Sequence, residues 1–303
     1  EICAQAATRD DIVGITAAMM RPVGLGPMHE AYPGRVIDVG IAEAEAVASA
    51  AGMAYQGAHP VVALYATFLN RGFDQLLMDV ALHRAGVTFV LDRAGVTGAD
   101  GASHNGVWDI AMCSMIPGLR LAAPRDEETL RARLREALDV DDAPTVIRYR
   151  KGSLPEPMPA LRSVGGVDIL FDEAVAHSSA RVLIVGTGAC APDAIEAARR
   201  LSADGVSVTV ADPQWMIPVC PELATLARDY DCVVSVEDGI VQGGFGWSLR
   251  DAVAEAGVPV RCLGVPQGFP EHGDRGAMIA QFGFDADGIE RAARELVERI
   301  SNR

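Results

Sequence analysis

Short apolar runs alternate with amphipathic stretches along the whole chain. Runs rich in valine, leucine and isoleucine are typical of buried strands, and apolar positions three or four apart are typical of helices. The predicted strands are Val36–Val39, Val61–Leu64, Val87–Leu91, Thr145–Tyr149, Arg181–Val185, Val206–Ala211, Cys232–Val236 and Val260–Leu263. The predicted helices are Ala42–Ala54, Phe73–His83, Glu127–Ala137, Pro192–Asp204, Gly246–Glu255 and Ile289–Ile300. This alternation predicts an α/β fold with two doubly wound, mostly parallel sheets.

One segment interrupts the alternation near the middle of the chain. Residues 153–166 contain three prolines and end in two consecutive glycines, which is typical of a linker. A length of 303 residues is enough for about two domains. We therefore expect a first domain over 1–152, a linker over 153–166 and a second domain over 167–303.

The charge balance narrows the range of partners. Forty-one acidic and 26 basic residues give a net charge of −15, so neither a nucleic acid nor an anionic membrane is expected as a partner. No apolar run reaches the roughly 18 residues of a membrane span, and no export signal opens the sequence, which predicts a cytoplasmic protein. The cysteines form no C-x-x-C pair and the histidines are scattered, so no metal site is expected.

Lys151 is the only lysine in the chain. Schiff-base chemistry requires a lysine amine held in an apolar pocket. Lys151 lies instead in the polar stretch 148–152, next to two arginines. Carbon–carbon bond chemistry in this protein would therefore need an electron sink other than a lysine adduct.

Two strand ends carry acidic and aromatic side chains. Glu43 follows the strand Val36–Val39, at the edge of a parallel sheet where ligands bind. It is either a site residue or an acid that the dipole favours in the first turn of a helix. Tyr65, Phe68 and Arg71 follow the next strand and form either a stacking platform with an anion clamp or part of the core.

Two further strand ends carry ionisable groups. Asp100 and His104 lie in the glycine-rich stretch 92–106, and such a loop is rarely just a connector. The alternative is that Asp100 serves a turn and His104 is solvated. Arg148 ends a strand beside Arg150 and Lys151, and the three cations suit either a phosphate or a solvated edge.

The stretch Gly186–Ala191 matches a loose dinucleotide fingerprint, with Asp212 about twenty residues further on. An ordinary turn with small residues explains it equally well. A nicotinamide oxidoreductase is therefore the weakest hypothesis that the sequence supports.

Taken together and in order, these stretches resemble the 1-deoxy-D-xylulose-5-phosphate synthase family. The resemblance covers nearly the whole chain, and several motifs at consistent spacing are more specific than any one of them. It is carried by the segments 38–47 (DVGIAEAEAV), 65–79 (YATFLNRGFDQLLMD), 92–108 (DRAGVTGADGASHNGVW), 116–127 (IPGLRLAAPRDE), 147–152 (IRYRKG), 234–246 (VSVEDGIVQGGFG) and 264–273 (GVPQGFPEHG).

The resemblance implies a pyrimidine-binding domain followed by a transketolase C-terminal domain, in an enzyme that uses thiamine diphosphate. Glu43 would hydrogen-bond the aminopyrimidine ring, and Ile41 and Phe68 would contact the same ring. The cofactor would supply the carbon chemistry, while the protein would tune it.

The resemblance also implies a substrate side, lined by Tyr65, Arg71, Asp100, His104 and Arg148. Arg71 and Arg148 would hold the phosphate of the acceptor. His104 would move protons while pyruvate loses carbon dioxide and its acyl unit passes to glyceraldehyde 3-phosphate.

Members of this family carry an upstream Gly-Asp-Gly…Asn motif for magnesium and the diphosphate, and the 303 residues contain none. We therefore expect a second polypeptide to supply that domain, with Mg²⁺ bound mainly there. A higher oligomer, such as a dimer of halves, is expected.

Three positions depart from the family pattern and keep alternatives open. The family has Glu-Gln-His where this chain has Glu43-Ala44-Glu45, and a small hydroxyl residue where it has Val23. The family's Arg-Tyr-Pro-Arg-Gly corresponds to residues 148–152, with Lys151 in place of the second arginine. One alternative is a two-chain transketolase-like carboligase of specialised metabolism with another donor or acceptor. A non-catalytic scaffold subunit is a more distant alternative.

Overall fold

The computed structural model describes residues 1–302, which form two β-sheets with helices packed on them. The strands are β1 (Ile12–Thr16), β2 (Val36–Asp38), β3 (His59–Tyr65), β4 (Thr88–Asp92), β5 (Arg120–Ala122), β6 (Thr145–Arg148), β7 (Arg162–Val164), β8 (Val167–Glu173), β9 (Arg181–Gly186), β10 (Ser207–Asp212), β11 (Trp215–Ile217), β12 (Cys232–Ile240) and β13 (Val260–Val265).

The α-helices are α1 (Ile2–Ala6), α2 (Gly26–Ala31), α3 (Glu43–Ala54), α4 (Phe73–Gln75), α5 (Asp109–Ser114), α6 (Glu127–Leu138), α7 (Ala191–Ala203), α8 (Pro221–Ala227), α9 (Phe245–Ala252), α10 (Arg275–Phe282) and α11 (Ala286–Ser301). A π-helical turn covers Leu76–Ala81, and short 3₁₀ turns cover Pro33–Arg35, Ala66–Gly72, Ala102–His104, Gly188–Cys190 and Ala254–Ala256.

The first sheet has seven strands in the order β11-β5-β6-β4-β3-β1-β2. All neighbouring pairs are parallel except β11 with β5. The carboxyl ends of the parallel strands therefore meet at one edge of the sheet, and the segments that follow β2, β3, β4 and β6 start side by side there. This edge positions the candidate site.

The second sheet has six strands in the order β13-β12-β9-β10-β8-β7. Four of them, β13, β12, β9 and β10, are parallel, whereas β8 pairs antiparallel with both of its neighbours, β10 and β7. The predicted α/β class with two mostly parallel sheets is confirmed.

Residue types explain the best-predicted elements. Strand β3 (HPVVALY) is buried along almost its whole length, as expected for a strand covered on both faces. Helix α3 packs on β3 through its small residues Ala46, Val47 and Ala50, which let the helix approach the sheet closely. Helix α6 begins with a capping box in which the Asp126 carboxylate accepts the backbone N–H of Thr129 at 2.9 Å.

Several elements differ from the sequence-based expectation. The predicted helix Phe73–His83 is the short helix α4 followed by the π-helical turn. Strands β1, β5, β8 and β11 had not been predicted, because two have only three residues, β1 is interrupted by Gly14 and β8 alternates with acidic residues. Strand β11 comes from the second half of the chain yet pairs with β5 of the first sheet.

Strand β7 lies inside the expected linker, residues 153–166, and pairs with β8 across the glycine pair. A glycine pair at a tight reversal explains this, because Gly165 and Gly166 both adopt positive φ. The domain division at 153–166 stays a prediction. No helix of residues 1–302 is long and apolar enough to cross a membrane.

A buried ion-pair group joins the two halves of the chain. Arg125 reaches Asp168 at 2.8 Å and Asp212 at 3.0 Å, and all three side chains are buried. Burial raises the pKa of Asp212 to about 6, although Arg125 opposes the shift. Such pairs fix the relative position of their elements, because a buried charge that loses its partner is costly.

Candidate functional site

The carboxyl edge of the first sheet gathers most of the predicted site residues. Glu43 begins α3 shortly after β2. Tyr65 ends β3, and Phe68 and Arg71 lie in the 3₁₀ turn that follows. Asp100 lies in the loop after β4 and Lys151 lies just after β6. We call the following residues the edge cluster: Glu43, Tyr65, Phe68, Arg71, Arg93, Asp100, His104 and Lys151.

Glu43 is an almost buried carboxylate at the start of α3, with 5% of its side chain exposed. The nearest cation is Arg71, whose Nη1 lies 3.9 Å from Glu43 Oε2. Within residues 1–302 the Glu43 carboxylate accepts no hydrogen bond. A buried carboxyl group without a partner is costly unless a ligand completes it. The arrangement therefore leaves Glu43 available to a ligand.

Aromatic rings connect the members of the edge cluster. Tyr65 and Phe68 stack with their centroids 6.1 Å apart, and His104 meets Phe68 edge-on at 5.6 Å. The Arg71 guanidinium lies 5.5 Å from the Phe68 centroid, and that of Arg93 lies 4.2 Å from the Tyr65 centroid. This row offers both a flat ring surface and a positive rim to a ligand.

Asp100 is held between two cations. Arg93 Nη1 donates to one carboxylate oxygen at 3.0 Å, and Lys151 Nζ donates to the other at 2.7 Å. The Lys151 ammonium beside Asp100 holds the pKa of that carboxyl below its usual range. Arg93 was not among the predicted site residues, and Lys151 was named only as one of three cations that suit a phosphate or a solvated edge. Their positions at the ends of β4 and β6, beside residues that were predicted, are the signal that could have identified them.

His104 contacts the loop that carries it. Its Nδ1 lies 2.9 Å from Ser103 Oγ, and Thr67 Oγ1 donates to the backbone carbonyl of Ser103 at 2.9 Å. These bonds orient the ring toward Phe68. Nε2 of His104 makes no hydrogen bond within residues 1–302, so it can face a ligand and exchange a proton.

A cavity of about 440 Å³ opens next to the edge cluster. Positive side chains dominate its polar lining: Arg93, Arg125, Arg148, Arg150 and Lys151. The carboxylates that face it are Asp92, Asp126 and Asp238. A cavity of this size with several cations suits a small phosphorylated molecule.

Arg148 and Ile41 differ from the other predicted residues in burial, since the first is buried and the second is largely exposed. Arg148 lines the cavity but is 5% exposed, with its Nε 2.7 Å from Asp109 Oδ2 and its Nη2 donating to the Asp238 carbonyl at 2.8 Å. Burial raises the pKa of Asp109, and Arg148 opposes that shift. Ile41 is 80% exposed on the turn before α3.

Arg275 completes a second group of charges behind the cavity, because its Nη2 donates to Asp238 Oδ2 at 2.9 Å. We call Arg148, Asp109, Asp238 and Arg275 the intersheet cluster. Arg148 ends β6 of the first sheet and Asp109 begins α5, whereas Asp238 belongs to β12 of the second sheet. A phosphate role for Arg148 stays a prediction.

The turn that resembles a dinucleotide fingerprint is packed against other parts of the protein. A side chain at Gly188 would meet the Ala123 carbonyl at 2.9 Å. Asp212, the residue expected to bind a ribose, is occupied by Arg125. These contacts favour the ordinary turn over a nicotinamide site.

Known protein families match the two halves of the chain. The pyrimidine-binding domain of transketolase matches residues 1–157, and the transketolase C-terminal domain matches residues 173–289. The chain belongs to the transketolase family. Its first part matches the pyrimidine-binding domain by sequence, and this part carries the first sheet except for β11.

Curated relatives give a finer similarity for this transketolase-family chain. Two 1-deoxy-D-xylulose-5-phosphate synthases of Kitasatospora griseola are 54% and 53% identical to it over 99% of its length. The synthase of Frankia casuarinae is 50% identical over 100% of the chain. The chain spans about half the length of these relatives, 46% to 48%.

Solved structures agree on the transketolase fold. A structure titled as a split gene transketolase, inactive beta4 tetramer, superimposes with a TM-score of 0.84 at 26% identity, covering 98% of this chain and 95% of that one. Transketolase from Leishmania mexicana superimposes with a TM-score of 0.78 at 21% identity, over 99% of this chain and 44% of that one. The second likeness shows the fold alone.

The edge cluster of this transketolase-family chain fits the pyrimidine end of thiamine diphosphate, the cofactor that the family implies. Glu43 offers a carboxyl group without a hydrogen-bond partner, and Phe68 offers a partly exposed ring. A hollow of about 400 Å³ beside Phe68 is lined by two further aromatic residues, Trp108 and Phe269. The centroids of these two rings are 5.4 Å apart. Ile41 adds exposed apolar surface.

Residues 1–302 contain no group of three or more His, Cys, Asp or Glu side chains that could hold a metal ion.

The three departures from the family pattern lie near the site. Val23 lines the 440 Å³ cavity, and the exposed Glu45 accepts a hydrogen bond from Ser49 at 2.8 Å on its own helix. Glu45 therefore pairs with a neighbour in α3 and with no arginine of the edge cluster.

Proposed function

We propose that this chain forms the pyrimidine side of the active site of a thiamine-diphosphate-dependent carboligase of the 1-deoxy-D-xylulose-5-phosphate synthase type. The reaction would decarboxylate pyruvate and transfer its acyl unit to glyceraldehyde 3-phosphate. The observation that carries this proposal is the edge cluster, which assembles Glu43, Tyr65, Phe68, Arg71 and His104 around one surface. The 50–54% identity to named synthases supports the choice of reaction.

Glu43 would hold the aminopyrimidine ring by a hydrogen bond to a ring nitrogen. Its burial shields that bond from water, which strengthens it. Phe68 would stack on the ring, and Ile41 would pack against the cofactor on the outer side. When bound, thiamine diphosphate would supply a carbanion centre that attacks the ketoacid. This chain's residues would bind, orient and exchange protons around it.

His104 would serve the proton transfers at the substrate oxygen. Its Nδ1 is tied to Ser103, so Nε2 is the nitrogen that reaches the ligand. Tyr65 lies next to Phe68 and would close the same pocket from the side of Arg93. A histidine placed in this way can both take and return a proton.

The phosphate of the acceptor would bind in the 440 Å³ cavity. Lys151 and Arg93 now share Asp100, so a phosphate could take their free N–H donors or displace the carboxylate. Asp100 would then act as the counter-ion that keeps both cations in place before the substrate arrives. The resemblance assigns this phosphate to Arg71 as well, but Arg71 does not line the cavity and would act at the cofactor side. Arg148 would contribute from behind through its remaining N–H donors.

The diphosphate and its Mg²⁺ would bind outside these 303 residues. We propose a second polypeptide as their carrier, with the two chains forming a larger oligomer. The 95% coverage of a split gene transketolase chain supports a two-chain arrangement.

Reconstitution tests the function. The chain is mixed with a polypeptide that carries the Gly-Asp-Gly…Asn motif, and 1-deoxyxylulose 5-phosphate is measured from pyruvate and glyceraldehyde 3-phosphate. Activity should require both chains, and Glu43→Ala should lower kcat by ~10² to 10⁴-fold, the range of general acid–base assistance.

Glu128→Ala is the matched control, because Glu128 is an exposed acid in the first turn of α6. It should leave kcat within about twofold, since exposed first-turn acids contribute little. Equal effects of the two changes would mean that Glu43 is only a helix-start acid, and the proposed function would fail.

A second candidate is a related two-chain carboligase with another donor or acceptor. It is favoured by Val23 in the cavity wall and by Lys151 where the family has arginine. A panel of ketoacids and aldehydes in the same assay separates the two candidates.

A further inference from the structure

The glycine-rich loop, residues 95–106, holds Asp100 and His104 with almost no regular structure. Its backbone reverses at Gly95, Gly98 and Gly101, whose φ angles are +77°, +71° and +78°. Apart from a 3₁₀ turn at Ala102–His104, no helix or strand fixes it. Interactions outside regular secondary structure must stabilise the conformation of the loop, because an irregular segment of this length is costly to order.

Asn105 lies at the centre of this loop and is completely buried, with 0% exposure. Its Oδ1 accepts the backbone N–H of Thr97 at 2.8 Å and that of Gly98 at 3.3 Å. Its Nδ2 donates to the Gly101 carbonyl at 3.0 Å and, over a longer 3.4 Å, to the Pro270 carbonyl. One side chain thus joins three points of the loop to the second half of the chain.

The partners of Asn105 require an amide. The donors to Oδ1 are the N–H groups of Thr97 and Gly98 and the Thr97 hydroxyl at 3.2 Å, and the acceptors from Nδ2 are two carbonyls. The side chain must therefore present an acceptor on one branch and a donor on the other. A carboxylate satisfies only the donors, and an alanine satisfies neither set. Each buried backbone group left without a partner would favour opening of the loop.

Residues of the second half of the chain pack closely against the same loop. A Cβ at Gly98 would meet the Gly273 carbonyl at 2.7 Å and the Arg275 nitrogen at 2.8 Å. The Val96 N–H donates to Asp238 Oδ1 at 3.0 Å, and Arg275 Nε donates to the Val96 carbonyl at 3.0 Å. The segments around 238 and 270–275 therefore form the wall against which the loop is shaped.

We propose that Asn105 is a positioning residue, through which the second half of the chain holds the loop that presents Asp100 and His104. This inference rests on the proposed function for the roles of those two residues. The shape of the loop itself can be measured without any cofactor or partner.

Hydrogen exchange on the 303-residue chain tests the positioning role directly. In Asn105→Ala the amides of residues 95–106 should exchange about tenfold faster than in wild type, because the bonds to Thr97, Gly98 and Gly101 are lost. Amides of the distant helix α6 should keep their rates. Asn302→Ala changes an exposed asparagine far from the loop and should alter neither region.

Asn105→Asp separates the donor from the acceptor half of the amide. At pH 8 its carboxylate faces the Gly101 carbonyl, so the loop should exchange faster than in wild type at the same pH. Near pH 5 a protonated carboxyl can donate again, and the ratio of the two exchange rates should fall toward one. In the reconstituted enzyme the relative kcat of this variant should recover over the same pH range.

Two results would overturn the proposal. One is an unchanged exchange rate of the loop in Asn105→Ala. The other is an equal acceleration in the loop and in α6, which would make Asn105 an ordinary core residue. The faster exchange of the loop in Asn105→Ala could also be found while the reconstituted wild-type enzyme makes no deoxyxylulose phosphate. That result would refute the proposed function and leave the positioning role intact.

Discussion

The edge cluster and the intersheet cluster lie side by side yet differ in how their charges are used. In the edge cluster Arg71 is 57% exposed and lies 3.9 Å from the Glu43 carboxylate. In the intersheet cluster Arg148 is 5% exposed and lies 2.7 Å from Asp109. Loosely paired, accessible charges can rearrange around a ligand, whereas desolvated pairs hold elements together. Arginine is thus accessible and loosely paired in the edge cluster, and desolvated and tightly paired in the intersheet cluster.

Breaking the intersheet pair should have the largest effect on stability. Arg148→Ala leaves Asp109 buried without its cation and should lower the free energy of unfolding by about 3–5 kcal/mol. Arg71→Ala is the matched change in the edge cluster and should stay within about 0.5 kcal/mol. Urea denaturation of both variants checks the difference, and similar losses would remove the distinction between the clusters.

The buried acid Glu237 should make the stability of the folded protein depend on pH. It accepts the backbone N–H groups of Phe245 and Gly246 at 2.8 and 2.9 Å, and burial raises its pKa from 4.5 to about 7. The folded state therefore binds the proton more tightly than the unfolded state. The stability that this adds is present below about pH 4.5 and is lost as the pH rises through 7, by about 3 kcal/mol.

Denaturation of wild type and Glu237→Gln at pH 5 and pH 8 measures that component. The glutamine variant cannot ionise, so its stability should fall less between the two pH values. The exposed Glu255→Gln should behave like wild type. The same fall in wild type and in Glu237→Gln would mean that other groups cause it.

Removing a cation of the edge cluster should change substrate binding more than stability. Lys151→Ala should raise KM for a phosphorylated acceptor by about ten- to hundredfold, because a charge-assisted hydrogen bond contributes roughly 1.5–3 kcal/mol. In the same Lys151→Ala variant, KM for an unphosphorylated aldehyde should change little. Arg228→Ala removes an exposed arginine as the control and should leave KM for both aldehydes unchanged. Equal losses for both aldehydes would exclude a phosphate role, and the same assay on Arg148→Ala tests the role predicted for that residue.

The smallest effect is expected at positions 44 and 45. Ala44→Gln with Glu45→His restores the family's pair, but Glu45 is exposed and bonded to Ser49. An exposed charge contributes about 1 kcal/mol at most, so the preference between two acceptors should shift by no more than about fivefold. The ratio of the two kcat/KM values measures it, and a larger shift would place Glu45 in the substrate site.

The sequence predicted the long, uniform elements well. Strands such as β3 and β9 and the helices α3, α6 and α11 follow from apolar runs and helical spacing. It did not predict β5 or β11, since three residues carry too little pattern. The antiparallel pairing of β11 across the two halves depends on tertiary contacts that no local pattern contains.

For the site, strand ends indicated one edge of the first sheet. The resemblance selected Glu43, Tyr65, Phe68, Arg71, Asp100 and His104, and the structure brings them together. The sequence could not distinguish the buried Arg148 from the accessible Lys151, because burial is decided by Asp109 and Asp238, which are distant along the chain. For the same reason, the sequence did not indicate a role for Asn105.

Strand β11 also decides what would happen if the two halves were separated. It covers the outer side of β5 and so occupies the open backbone hydrogen-bonding groups at that end of the first sheet. A fragment limited to residues 1–157 would leave β5 as an exposed edge strand, which is a template for pairing with another chain. The second half thus protects the first against self-association, as well as shaping its loop.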